Sequence, residues 1–195
     1  MNEQLRRKLL LMWATDAQVR SALAETGELF NGYCPKMERI HLENAARLER
    51  LIEDNGGVWL GKTLVGDDGA EAAWLIVQHA ISLPDISRRC LKLIEQAVAA
   101  NEAETYHFAY LYDRICFFEN RPQKYGTQSD WNENGVMEVW KLEDIEKVND
   151  YRAAIGLEPL KSFIWENEET RENKPKDFAA RRSEFEAWSQ KVGWR

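Results

Sequence analysis

The sequence predicts a mainly α protein: an antiparallel helical bundle with a small β-hairpin insert and additional C-terminal helices. Three observations carry that prediction. Five successive segments repeat apolar residues at helical spacing, and the links between them are short, which favours antiparallel neighbours. After Pro122 the periodicity gives way to two extended runs around an Asn-Glu-Asn-Gly loop.

The first segment, Glu3 to Glu25, places Leu5, Leu9, Met12, Trp13, Val19 and Leu23 on one face, and Gly27 stops it. A connector through Gly32 and Pro35 leads to a second helix from Lys36 to Asp54. Its expected inward face is Ile40, Ala45, Leu48, Leu51 and Ile52, with Asn55-Gly56-Gly57 as its stop. The third helix is expected to begin at Asp67 or Asp68, whose carboxylates suit the positive end of a helix dipole. It is apolar nearly all round from Ala70 to Ala80, so it should be central. Pro84 starts the fourth, with Ile86, Leu91, Ile94 and Val98 inward. The fifth, Ala103 to Glu119, concentrates aromatics from Tyr106 to Phe118.

Beyond it, Tyr125 to Trp131 and Val136 to Leu142 flank Asn132-Glu133-Asn134-Gly135 as a hairpin. Two strands alone are marginal, so the hairpin must lean on helices. Helix returns from Glu143 to Ile155, and a short apolar helix is expected after Pro159, through Leu160, Phe163, Ile164 and Trp165. Glu166 to Lys176 reads as a solvated linker, and Asp177 to Lys191 as a last amphipathic helix with Phe178, Phe185 and Trp188. The expected division is residues 1–165 as one helical domain, with its hairpin at about 123–142, and 166–195 as linker plus helix.

A chain of 195 residues with 44% hydrophobic residues and eight Trp can bury a core without metals or disulfides. Its net charge of −7 repels phosphate backbones, which argues against nucleic-acid binding. No apolar run is long enough to span a bilayer, and no secretory leader is evident. Three cysteines without paired spacing suit a reducing compartment. A cytoplasmic location is the expectation.

The candidates for chemistry are polar groups in apolar surroundings. Asp113-Arg114 lies on the aromatic helix, where a buried ion needs a partner. Arg114 can anchor an anionic or amide group, with Asp113 orienting it; the same pair can equally tie helix to hairpin. Gln78 and His79 fall at the end of the apolar third helix, and His79 has the pKa range of an acid or base. A satisfied core histidine is the competing reading. Gln123, Tyr125, Thr127 and Gln128 surround Gly126, which lets the backbone turn sharply or approach a ligand. They can bind substrate, or they can satisfy buried helix ends.

Glu38-x-x-His41 and Glu104-x-x-His107 have the spacing of di-iron bundles, but the first helix offers only Glu3, Glu25 and Asp16 to complete such a site. No metal and no cofactor are expected. Gly66-Asp67-Asp68-Gly69 carries two carboxylates and would repel phosphate.

In order along the chain, Gln78-His79-Ala80, Asp113-Arg114 and Tyr125-Gly126-Thr127-Gln128, with Gln123 just upstream, resemble the motifs of an uncharacterised bacterial family of unknown function. Asn44, Val65-Gly66 and an Asp16, Gln18, Arg20 element fit the same pattern, the last at a slightly different spacing. The resemblance spans about Thr15 to Leu160 and implies a shared polar centre without implying a mechanism. Two functions follow as expectations. One is a small enzyme or small-molecule or peptide binder, with His79 as acid or base, Arg114 as anchor, and Gln128 with Thr127 positioning the substrate in hydrolysis or group transfer. The other is a non-catalytic interaction module of immunity or adaptor type, its polar network structural and its aromatics Trp188 and Trp194 exposed to a protein partner.

Overall fold

The structure, a computed structural model, describes residues 1–30, 32–165 and 174–195. The charged stretch expected as a linker therefore lies, over 166–173, outside the described residues. The chain is mainly helical and divides into two compact units, Met1–Glu104 and Thr105–Arg195.

The first unit holds α1 (Glu3–Glu25), α2 (Pro35–Asp54), α3 (Lys62–His79) and α4 (Pro84–Ala99), with one 3-10 turn at Glu28–Phe30. Asn2 caps α1 by accepting the Leu5 N–H at 3.1 Å, and Pro35 and Pro84 open α2 and α4 where the missing N–H costs nothing. α1 packs chiefly on α3 and also on α2, and α3 reaches α4. Leu5, Leu9 and Met12 of α1 are buried with Leu48, Ile52, Val65, Ala73, Ile76 and Val77, while Leu23 joins Cys34 and Met37 in a separate cluster.

Two expectations are modified here. A helical turn from Lys62 precedes the acidic start of α3 and is set off from it by a break at Gly66 (φ 74°, ψ 168°), after which the continuous helix begins at Asp67. Gly66 supplies a backbone conformation that a residue with a Cβ adopts only under strain, and the break lets α1 latch on. Asn2 donates its N–H to Leu64 O, and Arg6 grips Asp68 through Nε at 2.7 Å. The buried face of α2 is also rotated. Met37, His41, Asn44, Ala45, Leu48 and Ile52 are buried, whereas Ile40 and Leu51 are only partly so. Helical spacing admits both stripes, and packing against α1 and α3 selects the one that contains two polar residues.

The second unit holds α5 (Thr105–Phe118), the strands β1 (Ser129–Trp131) and β2 (Met137–Val139), α6 (Val148–Ala154) and α7 (Phe178–Val192). The strands pair antiparallel, Ser129 with Val139 and Trp131 with Met137, across the expected loop. Asn132 Oδ1 accepts the N–H groups of Asn134 and Val136, and Gly135 takes φ 71°. The helix expected after Pro159 is absent. Phe163 O accepts from Val139 N, and Trp165 N donates to Met137 O, so this stretch runs along the open edge of β2. An unpaired strand edge offers backbone partners that outweigh a short helix's weak propensity. The helix expected from Glu143 likewise shortens to α6.

Asp177 caps α7, as the sequence implies, and Gly193 ends it in the left-handed region. Phe117, Phe118, Phe185, Trp188 and Trp194 form an aromatic cluster, with Trp194 stacked on Phe118 at 5.2 Å between centroids. Trp194 is buried and Trp188 half-buried, so neither is the free aromatic surface expected for a partner. Arg195 donates to the Phe118 carbonyl, occupying one of the groups left open at the end of α5.

All three cysteines are free and buried. Burial pushes the Cys90 thiol up to about 12 and the Cys116 thiol to about 11. Folded-state pKa values raised in this way give stability that is whole below the unfolded thiol value, about 8.5, and is lost as pH rises through the folded values. Urea midpoints should therefore fall steadily above about pH 8.5. The fall should be shallower in Cys90→Ala than in the parent chain.

Candidate functional site

Within the first unit, three helices each bring one ionisable side chain to a common point. Asp16 continues the buried stripe Leu5, Leu9, Met12 of α1, so the packing that buries those residues buries a carboxylate too. His41 occupies the equivalent place in the stripe of α2, and His79 is the last residue of α3. Asp16 has no exposed surface, His41 is 6% exposed, and the His79 side chain keeps 19% of its surface in solvent.

His79 Nδ1 lies 3.1 Å from both carboxylate oxygens of Asp16. His41 Nε2 lies 3.2 Å from Oδ2. The other ring nitrogen of His41 meets the Tyr33 hydroxyl at 2.7 Å. The two imidazole centroids are 5.0 Å apart, and Trp13 covers His79 at 5.4 Å. Asn44 braces the pair of helices by donating to Met12 O at 3.2 Å. Burial alone would raise the Asp16 carboxyl, but the facing imidazoles outweigh it and hold the group well below the usual carboxylate range. Burial, followed by the Glu38 charge, pushes the Tyr33 phenol up. Ser82 links to Glu38 at 2.6 Å behind it.

Among the described residues this is the one cluster whose imidazole and carboxylate atoms, all within 4.8 Å of one another, can hold a metal ion. A groove of about 450 Å³ runs between α1 and α2, lined by Leu11, Met12, Ile40, Asn44 and Leu51, with Lys8, Arg47 and Arg50 at its rim. None of the three clustered groups lines it.

The second unit gathers most of the other predicted site residues. Asp113, with no exposed surface, accepts from Lys124 N at 2.9 Å, Tyr125 N at 3.1 Å, Thr127 N at 3.0 Å and Thr127 Oγ1 at 3.0 Å. Burial pushes its carboxyl up, and these donors pull against that rise. Gln123 is equally buried. Its amide nitrogen donates to Gln128 O and Trp140 O, and its amide oxygen accepts from Gln128 N. The Gln128 side chain donates to Thr127 O and Oγ1. The turn at Gly126 needs φ 64°, and a Cβ there would meet Leu160 Cδ1 at 2.7 Å. Arg152, which sequence reasoning did not single out, donates Nη1 to Tyr125 O at 2.7 Å and Nε to Glu158 O at 2.6 Å.

Gln78 and His79 thus belong to the first unit. Asp113, Arg114, Gln123, Tyr125, Thr127 and Gln128 belong to the second. Asp113 joins Tyr125 and Thr127, and Gln123 joins Gln128. Gln78 is buried beside His79 in sequence, and Arg114 is half-buried on α5. The two residues that sequence reasoning left out of the site are Asp16 and His41. The available signal was a polar residue at an apolar stripe position on each of two helices.

No helix among the described residues is long and apolar enough to cross a membrane. Residues 3–176 match a sequence family described as a family of unknown function, DUF6624. No curated protein and no solved structure matches the chain.

Proposed function

We propose that the chain, which belongs to this family of unknown function, is a small enzyme acting by hydrolysis or group transfer at the Asp16–His41–His79 centre. One observation carries this reading. A carboxylate with no exposed surface is held against two imidazoles, one of which keeps an edge in solvent. An aliphatic residue at position 16 would extend the Leu5-Leu9-Met12 stripe and avoid the several kcal/mol that burying an ion costs. Clustered ionisable groups with one accessible member are the usual furniture of catalytic sites.

A second reading applies to the second unit. The carboxylate of Asp113 and the amide of Gln123 are engaged internally, and Thr127 Oγ1 both donates to Asp113 and accepts from Gln128. That pattern favours a structural tie holding the turn over a substrate-binding role for these residues.

The test is a stability comparison with chelator present. A chain carrying Asp16→Leu, His41→Leu and His79→Leu should unfold within about 1 kcal/mol of the parent, or be more stable, because functional polar groups are kept at a cost in stability. A loss of about 3 kcal/mol or more would mark the centre as a structural network and refute the enzymatic reading.

A further inference from the structure

We infer that Asp16, His41 and His79 bind one divalent transition-metal ion of the zinc class, through a carboxylate oxygen, His41 Nε2 and His79 Nδ1. The inference rests on reading that centre as functional, and it names the centre's ligand. It departs from the sequence expectation of no metal, which weighed Glu-x-x-His pairs and the carboxylates the first helix could add to them.

The distances fit such an ion. Imidazole nitrogens and carboxylate oxygens bind zinc at about 2.0–2.1 Å, which sets neighbouring ligand atoms about 3.0 Å apart at right angles and about 3.4 Å apart at tetrahedral angles. The carboxylate-to-imidazole separations are 3.1 Å and 3.2 Å. The ligand atoms lie within 4.8 Å of one another, so closing the set asks the imidazoles to approach by at most about 1.4 Å.

His41 Nε2 and His79 Nδ1 face one and the same carboxylate, the first against Oδ2 and the second against both oxygens. Two imidazoles and one carboxylate also select among cations. Calcium and magnesium favour all-oxygen shells, whereas nitrogen donors favour zinc and its first-row neighbours.

The surroundings supply what such sites use beyond their ligands. A metal-bound His41 would use the Nε2 lone pair and carry its proton on Nδ1, which then donates to the Tyr33 hydroxyl 2.7 Å away. Glu38, linked to Ser82 behind Tyr33, adds negative charge that favours a cation. Three protein ligands leave a position open, and His79 provides the exposed side from which water or substrate can reach it.

The experiment uses the full chain, stripped with chelator and titrated with Zn²⁺ by calorimetry, with Co²⁺ added separately to read its visible spectrum. The expected result is one ion per chain with a Kd of about 1 μM or tighter, and a Co²⁺ spectrum of low-symmetry nitrogen and oxygen ligation. Asp16→Asn and His41→Gln should each weaken binding at least about 100-fold, and Tyr33→Phe about 10-fold. Circular dichroism shows whether each variant folds, and the Co²⁺ spectrum of the unmodified chain needs no variant.

Absence of one-to-one uptake at about 10 μM overturns the inference. So does uptake that the folded Asp16 and His41 variants retain in full, which would mean an adventitious surface site only. If no metal binds while the triple leucine chain stays stable, only the metal assignment fails. If the triple leucine chain is also strongly destabilised, the enzymatic reading fails with it.

Discussion

Asp113→Asn is expected to lower the unfolding free energy by about 3–5 kcal/mol, read as a shift of the urea midpoint with little change in slope. The shape of the side chain is nearly unchanged, so the loss would come from its hydrogen-bonding sense. Both oxygens of Asp113 accept, and the partners are three backbone N–H groups and the Thr127 hydroxyl. An amide turns one acceptor into a donor pair facing other donors, in a place with no exposed surface for water to reach. At least one backbone N–H would be left buried and unmatched, and an ionic acceptor would become a neutral one. A loss under about 1 kcal/mol would show that the turn from Lys124 to Thr127 finds other partners.

Arg152→Met should cost about 2–4 kcal/mol in the same assay. Its guanidinium is nearly buried and bonds two backbone carbonyls, Tyr125 O and Glu158 O. It therefore fastens the Gly126 turn to the segment after α6. Methionine keeps much of the stem's packing and leaves both carbonyls without a charged donor. Lysine should recover only part of the loss, because a single ammonium lacks the planar fork that reaches both oxygens. Full recovery by lysine would mean that charge alone, without the fork, accounts for the contribution.

Helices α1, α2, α4, α5 and α7 were legible because of their apolar periodicity, helped by boundary residues such as Pro84 at a start or Asn55-Gly56-Gly57 at an end. The stretch after Pro159 was not. Its apolar residues suit a helix or a strand equally over so short a run, and the edge of β2 decided the matter. The choice between the two faces of α2 was hidden for a related reason. Ile40 and Leu51 are as apolar as Met37 and Leu48, and only the elements packed against α2 distinguish them.

The candidate centre was half legible. His79 stood out as a polar end to an apolar helix. Asp16 and His41 are 25 and 38 residues from their next partners along the chain, and no local spacing connects them. The polar residues of 123–128 were visible as a group, but their saturation by Asp113 and by one another depends on how the turn closes.

The latch at Gly66 has a consequence for how finely the α1 and α3 side chains of the centre are placed. Helices α1 and α3 run side by side in the same direction, fastened at Arg6 and Asp68 and meeting again at Asp16 and His79. Ten residues separate the two points on α1 and eleven on α3, which at 1.5 Å each gives about 15 Å and about 16.5 Å. The two helices act as matched rulers that share a zero mark. Adding or removing one residue between the marks on either helix would carry its side chain about 1.5 Å along the axis and about 100° around it. Asp16 would then face away from His79, so the length of this stretch is as much a determinant of the centre as the identity of its side chains.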